Sequence, residues 1–399
     1  MGQTHCRTKA CVITLSIGAL LVVAVFNPTL FAQRLVLCDY SPPQSIFVDL
    51  GGTVNFRAIN NPGQPGTIFN GTAKTDLVYL QDSPNLGITF DGNVNADFAD
   101  GTRNSLNLSP SLKLYVAETD FFFFGGTDLQ AIRSFWPGNI SLLLGPGFGR
   151  FRNVTAFAKA VEIRTQLERL GKLVAPLEEE GLKEIATLID QHVVDAPISD
   201  LIDVIQQALT RIDERRRREN RTPLLNGTLD ASSLIAIQNV LQNSSATKFC
   251  GLETSLGLGI NYDTQEQFLD FLWRFAFKYA VAPTSRSQLI LDTKFSFSNL
   301  NFKQGTFFLD SQAVYVYRFS NALGIQGRYA FLRSSSNGKV PIDVQVLNLA
   351  LSFKNISVGP IPGVGPISMN LMIDLDWSKS TGTLGWSRSI NVNLGYEVF

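Results

Sequence analysis

Two stretches of the chain alternate apolar and polar side chains with period two, and the stretch between them repeats every three to four residues. From Leu86, one face collects Leu86, Ile88, Phe90, Val94, Ala96 and Phe98, and the other Thr89, Asp91, Asn93, Asn95 and Asp97. Leu106, Leu108, Leu112, Leu114 and Val116 repeat the pattern against Asn107, Ser109, Ser111 and Lys113, with Asp100-Gly101 as the hairpin signal between the two. Weaker alternation over Ile46 to Ala58, Phe69 to Tyr79, Thr119 to Ser134 and Ile140 to Gly149 fits the same template. After Cys250 it runs almost unbroken to the end of the chain in about eight segments. The densest carry Phe271, Trp273, Phe275, Phe277, Tyr279 and Val281 around Arg274 and Lys278, and Ile367, Met369, Leu371, Ile373, Leu375 and Trp377 around Asp374 and Asp376.

Between these zones, Ala160, Ile163, Leu167, Leu170 and Val174, then Leu182, Ile185 and Ile189, then Ile202, Ile205, Leu209 and Ile212, then Leu234, Ile237 and Leu241 fall at helical spacing. They predict about four amphipathic helices from Val154 to Asn243, punctuated by Gly171, Pro176, Pro197 and Pro223. Ser199 or Asp200, and Asp230, are the expected N-caps. Gly145 to Gly149 reads as a bend where strand passes to helix. It lacks the Lys and the βαβ setting of a phosphate loop.

Composition narrows the class. The 399 residues are 17% charged, against about 25% in an ordinary soluble domain, and 29 are Phe. A formal net charge of zero offers no basic surface for nucleic acid. Beyond the first thirty residues no apolar run approaches the roughly 20 residues of a spanning helix. At the N-terminus, Arg7 and Lys9 precede an apolar run from Val12 to Phe26, then Pro28 and the small Ala32, which reads as a secretory signal over residues 1–32. An uncleaved membrane anchor is the alternative. Removal of the signal leaves Cys38 and Cys250 as a candidate disulfide in an oxidising compartment, although nothing in the sequence places them together.

A soluble β-sandwich also alternates, but its strands average five or six residues, and these run to about ten or more with aromatic-rich apolar faces. The expectation is an all-β transmembrane antiparallel barrel of about fourteen strands, with twelve and sixteen as alternatives. It is divided into a first part over 33–153, a helical insertion over 154–249 and a second part over 250–399. The terminal Phe399 on an amphipathic segment from Leu384 resembles the C-terminal signature of bacterial outer-membrane β-barrel proteins, which the barrel-assembly machinery reads. The third residue from the end, usually apolar, is Glu397, with Tyr396 one place earlier. A slip or bulge there would reconcile the two. Gly145-Pro146-Gly147-Phe148-Gly149-Arg150, followed by Leu- and Glu-rich helices and a second run of strands, is similar to uncharacterised barrels of Bacteroidetes-type bacteria, a resemblance that implies no particular activity.

Barrels of this kind end in the periplasm. An even number of strands after the insertion therefore places the helices on the periplasmic side, or folded up into the barrel. Catalysis is short of histidine: His5 leaves with the signal, and His192 falls on the apolar face of a helix, where a packed or capping role is expected. Neither a Ser-His-Asp hydrolase nor a zinc site is expected, and no cofactor is implied. The Arg215 to Arg218 run is expected to be a solvated helix end. On the inward phase stand Arg274, Lys278, Asp292, Lys294, Arg328, Lys354, Asp374 and Asp376, the candidate pore-lining residues. Mixed signs there fit either weak selectivity or pairing that fills the interior. The expected function is a passive pore or transporter for small solutes, gated or plugged by the insertion. The alternative is a non-conducting outer-membrane protein whose helices bind a periplasmic or cell-wall partner. Outer-membrane lipid and the assembly machinery are the other expected partners.

Overall fold

The computed structural model describes residues 37–42, 45–60, 67–97, 104–117, 119–132, 137–192, 197–242, 247–264, 267–298, 306–320, 323–335, 342–361, 365–380 and 387–398. The signal segment, the Asp100-Gly101 turn and Phe399 lie outside them, as do the side chains of His192, Lys354, Asp374 and Tyr396.

Six strands come first: β1 (Ser45–Asn60), β2 (Thr67–Asp82), β3 (Leu86–Asp97), β4 (Ser105–Tyr115), β5 (Phe121–Ile132) and β6 (Pro137–Asn153). Four helices follow: α1 (Thr155–Arg169), α2 (Glu179–His192), α3 (Ile198–Arg218) and α4 (Ala231–Gln242). Eight strands close the chain: β7 (Phe249–Asp263), β8 (Phe268–Thr284), β9 (Ser287–Ser298), β10 (Thr306–Arg318), β11 (Leu323–Ser335), β12 (Ile342–Ile361), β13 (Gly365–Ser380) and β14 (Ser387–Val398). All fourteen form one sheet in sequence order, each strand antiparallel to the next. The strands run from 11 to 20 residues, and a tilted strand needs roughly 9–11 to cross hydrocarbon. Among the described residues, no helix is long and apolar enough to cross a membrane.

The period-two pattern becomes two faces. On β6, Leu142, Leu144 and Phe148 are exposed, Leu144 to 70%, while Ser141, Leu143, Gly147 and Gly149 between them are buried. Leu252, Leu256, Leu258 and Ile260 on β7, and Phe271, Trp273 and Phe275 on β8, extend the exposed apolar surface. The other face is concave. Lys113 on β4 bonds Glu253 on β7, three strands away, at 2.6 Å. Flat strands that far apart would lie about 14 Å from one another. At the end of the sheet where β1 begins, Phe47 meets Phe249 of β7 with ring centroids 5.5 Å apart, across a strand separation of about 29 Å if the sheet were flat.

Glycine and proline permit this curl. A Cβ at Gly145 would overlap the Leu256 carbonyl of β7, and one at Gly147 would overlap the Phe122 ring of β5. Prolines cannot donate to a ladder. The pairing accordingly jumps from Leu108↔Leu129 to Ser111↔Gly126 across Pro110, and from Leu144↔Leu258 to Gly147↔Ser255 across Pro146. Gly145 to Gly149 is therefore not the expected bend into a helix. It lies inside β6, and the helix starts only at Thr155. The expected slip near the C-terminus is also absent, because β13 and β14 pair in unbroken register from Ile367↔Val398 to Ser378↔Ser387.

The helices build a second core. Ala160, Ile163 and Leu167 of α1 pack with Leu182, Ile185 and Ile189 of α2, Ile205 and Leu209 of α3, and Ile237 and Leu241 of α4. Asp230 caps α4 as expected, its carboxylate accepting the Ser233 N–H at 3.0 Å. Neither Ser199 nor Asp200 caps α3. Pro197 holds the extended backbone just before it, and the helix begins two residues earlier, leaving Asp200 in the first turn where its charge still suits the dipole. Arg216 departs from the solvated run: it is buried, donating to the Thr222 carbonyl at 3.0 Å and pairing with Glu178 at 2.9 Å.

Cys38 and Cys250 are bonded, closing a sequence separation of 212. Leu37 and Tyr40 on either side of the bridge lie in the helical core, Tyr40 stacked on Phe157 of α1 at 4.9 Å. The chain-entropy account gives a loop of that length about 5 kcal/mol of stabilisation. Replacing both cysteines by serine should lower the thermal midpoint of the detergent-folded protein, read by heat-shifted gel mobility and circular dichroism. An unchanged midpoint would mean that packing alone holds the segment.

Candidate functional site

The concave face carries a belt of polar groups at one depth. Lys113 bonds Glu253, Glu253 lies opposite Lys278 in the β7–β8 register, and Lys278 pairs with Asp292 of β9 at 3.8 Å. Asp292 faces Gln312 of β10, whose amide oxygen accepts from Arg328 of β11 at 3.3 Å. Arg328 faces Asn348 of β12, which donates to Asp376 of β13 at 2.7 Å. Signs alternate around the belt, so its named charges sum to zero.

The belt is not uniform. On the β4 to β7 side the Lys113 and Glu253 side chains are only 12% and 11% exposed, with Phe122 of β5 beneath the ammonium at 5.6 Å. Arg274 of β8 pairs across the curl with Asp128 of β5, again three strands away. Arg150 of β6 lies over the Tyr115 ring at 3.9 Å and donates to the Ser83 and Pro84 carbonyls, locking neighbouring turns at that end. Side chains thus fill the concavity beside the early strands. From β8 to β13 the belt is more open: Lys294 and Arg328 are exposed, and Lys278 and Asp292 are half-exposed.

The helical unit seats against the end of that more open region. Ala282, at the end of β8, is fully buried within the helical core. Gln288 of β9 is 2% exposed, its amide set to donate to the Thr247 carbonyl at 2.6 Å and to accept the Phe249 N–H at 2.7 Å. Arg318 of β10, on the same face as Gln312, reaches Glu162 of α1 at 3.0 Å. The unit is also tied to the chain before β1, where the Tyr40 hydroxyl donates to Asp190 of α2 at 3.2 Å.

Of the residues singled out from the sequence, Lys278, Asp292, Arg328 and Asp376 lie on the belt. Arg274 and Lys294 share the inner face, Lys294 opposite Asp310 of β10. Asp374 occupies the corresponding register position opposite Ala350. Lys354 does not follow the expected phase: a register shift between Phe353 and Ile356 interrupts the alternation at that point. Tyr396 stands opposite Met369 in the β13–β14 ladder. Lys113, Asp128, Glu162 and Arg318 were not among the candidates. Each owes its place to contacts between elements distant in sequence, for which period and spacing carry no signal.

No protein-family model matches the chain, and no curated protein matches it. Among solved structures it is similar to a loop L8 deletion mutant of OmpT, an outer membrane protein of Vibrio cholerae, at 10% identity over 87% of this chain and 99% of that one, with a TM-score of 0.25. It is likewise similar to in-vitro folded OmpT of Vibrio cholerae at 6% identity, over 92% of this chain and 100% of that one, with a TM-score of 0.25.

Burial raises the Asp190 carboxyl to about 6 from 3.8, against the opposing hydrogen bond from Tyr40. Between these values the folded chain retains a proton that the unfolded chain has lost, so stability falls as pH rises from about 4 to 6 and stays lower above. Asp190→Asn keeps an acceptor for Tyr40 and removes the titration. It should melt higher than the parent at pH 8, with the gap closing near pH 4, by circular dichroism of the helical signal. A gap independent of pH would show that the carboxyl does not titrate in that range.

Proposed function

We propose that this chain is an outer-membrane β-barrel protein, and that it forms a passive pore for small polar solutes held closed by its helical insertion. A sheet with Leu, Phe and Trp on its convex face and paired charges on its concave face suits lipid outside and water within. Hydrocarbon cannot solvate an open edge, so in the membrane β1 and β14, the two ends of the strand order, close on each other. Folding from the C-terminal strand by the barrel-assembly machinery accords with its amphipathic sequence. With eight strands after the insertion, the helices share one end of the sheet with the last strand's terminus, which is the periplasmic end if the barrel follows the bacterial pattern.

The observation that carries the pore reading is the seating of the helical unit. Ala282, Gln288 and Arg318 end β8, begin β9 and end β10, strands that hold part of the more open, solvated belt, and all three meet the unit. The insertion covers the end of a polar path. Solutes would move along Lys278, Asp292, Lys294 and Arg328, and the balanced signs predict weak charge selectivity.

The cross-curl pairs Lys113–Glu253 and Arg274–Asp128 favour a second reading, in which the filled barrel is a non-conducting anchor and the helices recruit a periplasmic or cell-wall partner. Planar-bilayer recordings separate the two. The full chain should be largely silent, and a chain in which a short Gly/Ser linker replaces residues 155–242 should give discrete steps with little preference between K⁺ and Cl⁻. Silence from the shortened protein, when it shows the heat-shifted mobility of a folded barrel, would remove the pore reading and leave the anchor.

A further inference from the structure

Three ionisable side chains converge where the helical unit seats, and their charges do not balance. Glu162 of α1 bonds Arg318 of β10 at 3.0 Å, with both side chains largely buried. Lys248, in the strap that joins α4 to β7, is 2% exposed. Its backbone is fully engaged: the N–H donates to Thr155 Oγ1 at 2.8 Å, and the carbonyl accepts the Val154 N–H at 2.8 Å. The strap therefore cannot swing its ammonium into water without breaking its bonds to the start of α1. The charged groups acting on Lys248 are Arg318, which repels it, and Glu162, which attracts it. The other elements packed there contribute no charge: β9 presents the Gln288 amide and β8 the Ala282 methyl. Two cations share one carboxylate in a dry junction, where an uncompensated charge is costly.

We propose that Lys248 spring-loads the helical closure: the Glu162–Arg318 pair holds α1 against the sheet, and the Lys248 charge drives it off. This rests on the reading of the helical unit as the closure of a pore and adds how that closure is balanced. The protein is poised near opening, so that loss of one carboxylate releases the unit and loss of one ammonium locks it. Burial first, and Arg318 second, depress the Lys248 ammonium to about 8 from 10.5. Seated and released forms are both charged below pH 8. From about 8 to 10.5 only the released form keeps the proton, so seating tightens with pH across that window.

The test is amide hydrogen exchange of residues 155–169 in the full detergent-folded chain, corrected for intrinsic rates, beside bilayer recordings of the same preparations. At pH 7, Lys248→Met should raise α1 protection at least about tenfold, and Glu162→Gln should lower it by about the same factor, the equivalent of one pKa unit. Parent protection should climb between pH 8 and 10 while Lys248→Met stays flat; if the methionine variant lacks the heat-shifted mobility of a folded barrel, Lys248→Gln takes its place. Protection unchanged or reduced on removing the Lys248 charge, or unchanged in Glu162→Gln, would overturn the spring. Exchange that follows the stated pattern while Glu162→Gln stays electrically silent would keep the spring and discard the pore.

Discussion

The sheet wears its apolar side chains on the outside. Leu144, Phe148, Leu252, Phe271 and Trp273 stand on the convex surface, while charged and amide groups line the concave one. In water this arrangement would forfeit the main driving force of folding; against hydrocarbon it costs little, because lipid takes the place of a core. The demand then passes to the polar interior, where each charge needs a partner or water. That demand accounts for the belt, for the pairs that reach over three strands, and for the glycines that let Phe122 and Phe124 lie across the floor of the curl.

The insertion obeys the opposite rule. Its four helices bury Ile163, Leu182, Ile205 and Leu241 in the manner of a water-soluble bundle and turn charges outward. Asp213 shows how carefully that small core is closed. Although burial pushes its carboxyl up, the Leu225 and Leu224 N–H groups and Arg217 hold it below the usual range. One chain thus contains two solutions to solvation, joined where Ala282 enters the helical core and Arg318 meets Glu162. The junction belongs to neither, and it is there that buried charge is left unbalanced.

Much of this was legible in the order of residues. Period two located the strands, and the phase of Lys278, Asp292, Arg328 and Asp376 is the phase of the belt, because alternation is a local property of extended backbone. The same reasoning failed at Lys354, since a bulge changes the phase without a mark in composition, and at Gly145 to Gly149, where glycine signified close strand approach rather than a turn. It could nominate Cys38 and Cys250 but not bring them together, because proximity across 212 positions is decided by the sheet's curl. Lys113, Glu162 and Arg318 were invisible for the same reason. Each is an ordinary charged residue in its own segment and acquires a role only when distant segments meet.

The bond between Cys38 and Cys250 also makes a ring of the chain. Every residue from the start of β1 to the beginning of β7, including all four helices and their connections, lies on one covalent circle. A single cut by a protease anywhere on that circle opens it without severing the molecule, so the severed pieces remain tethered through sulfur. The exposed part of the protein can be nicked and still present one body to the membrane, whereas a cut after Cys250 detaches everything that follows it.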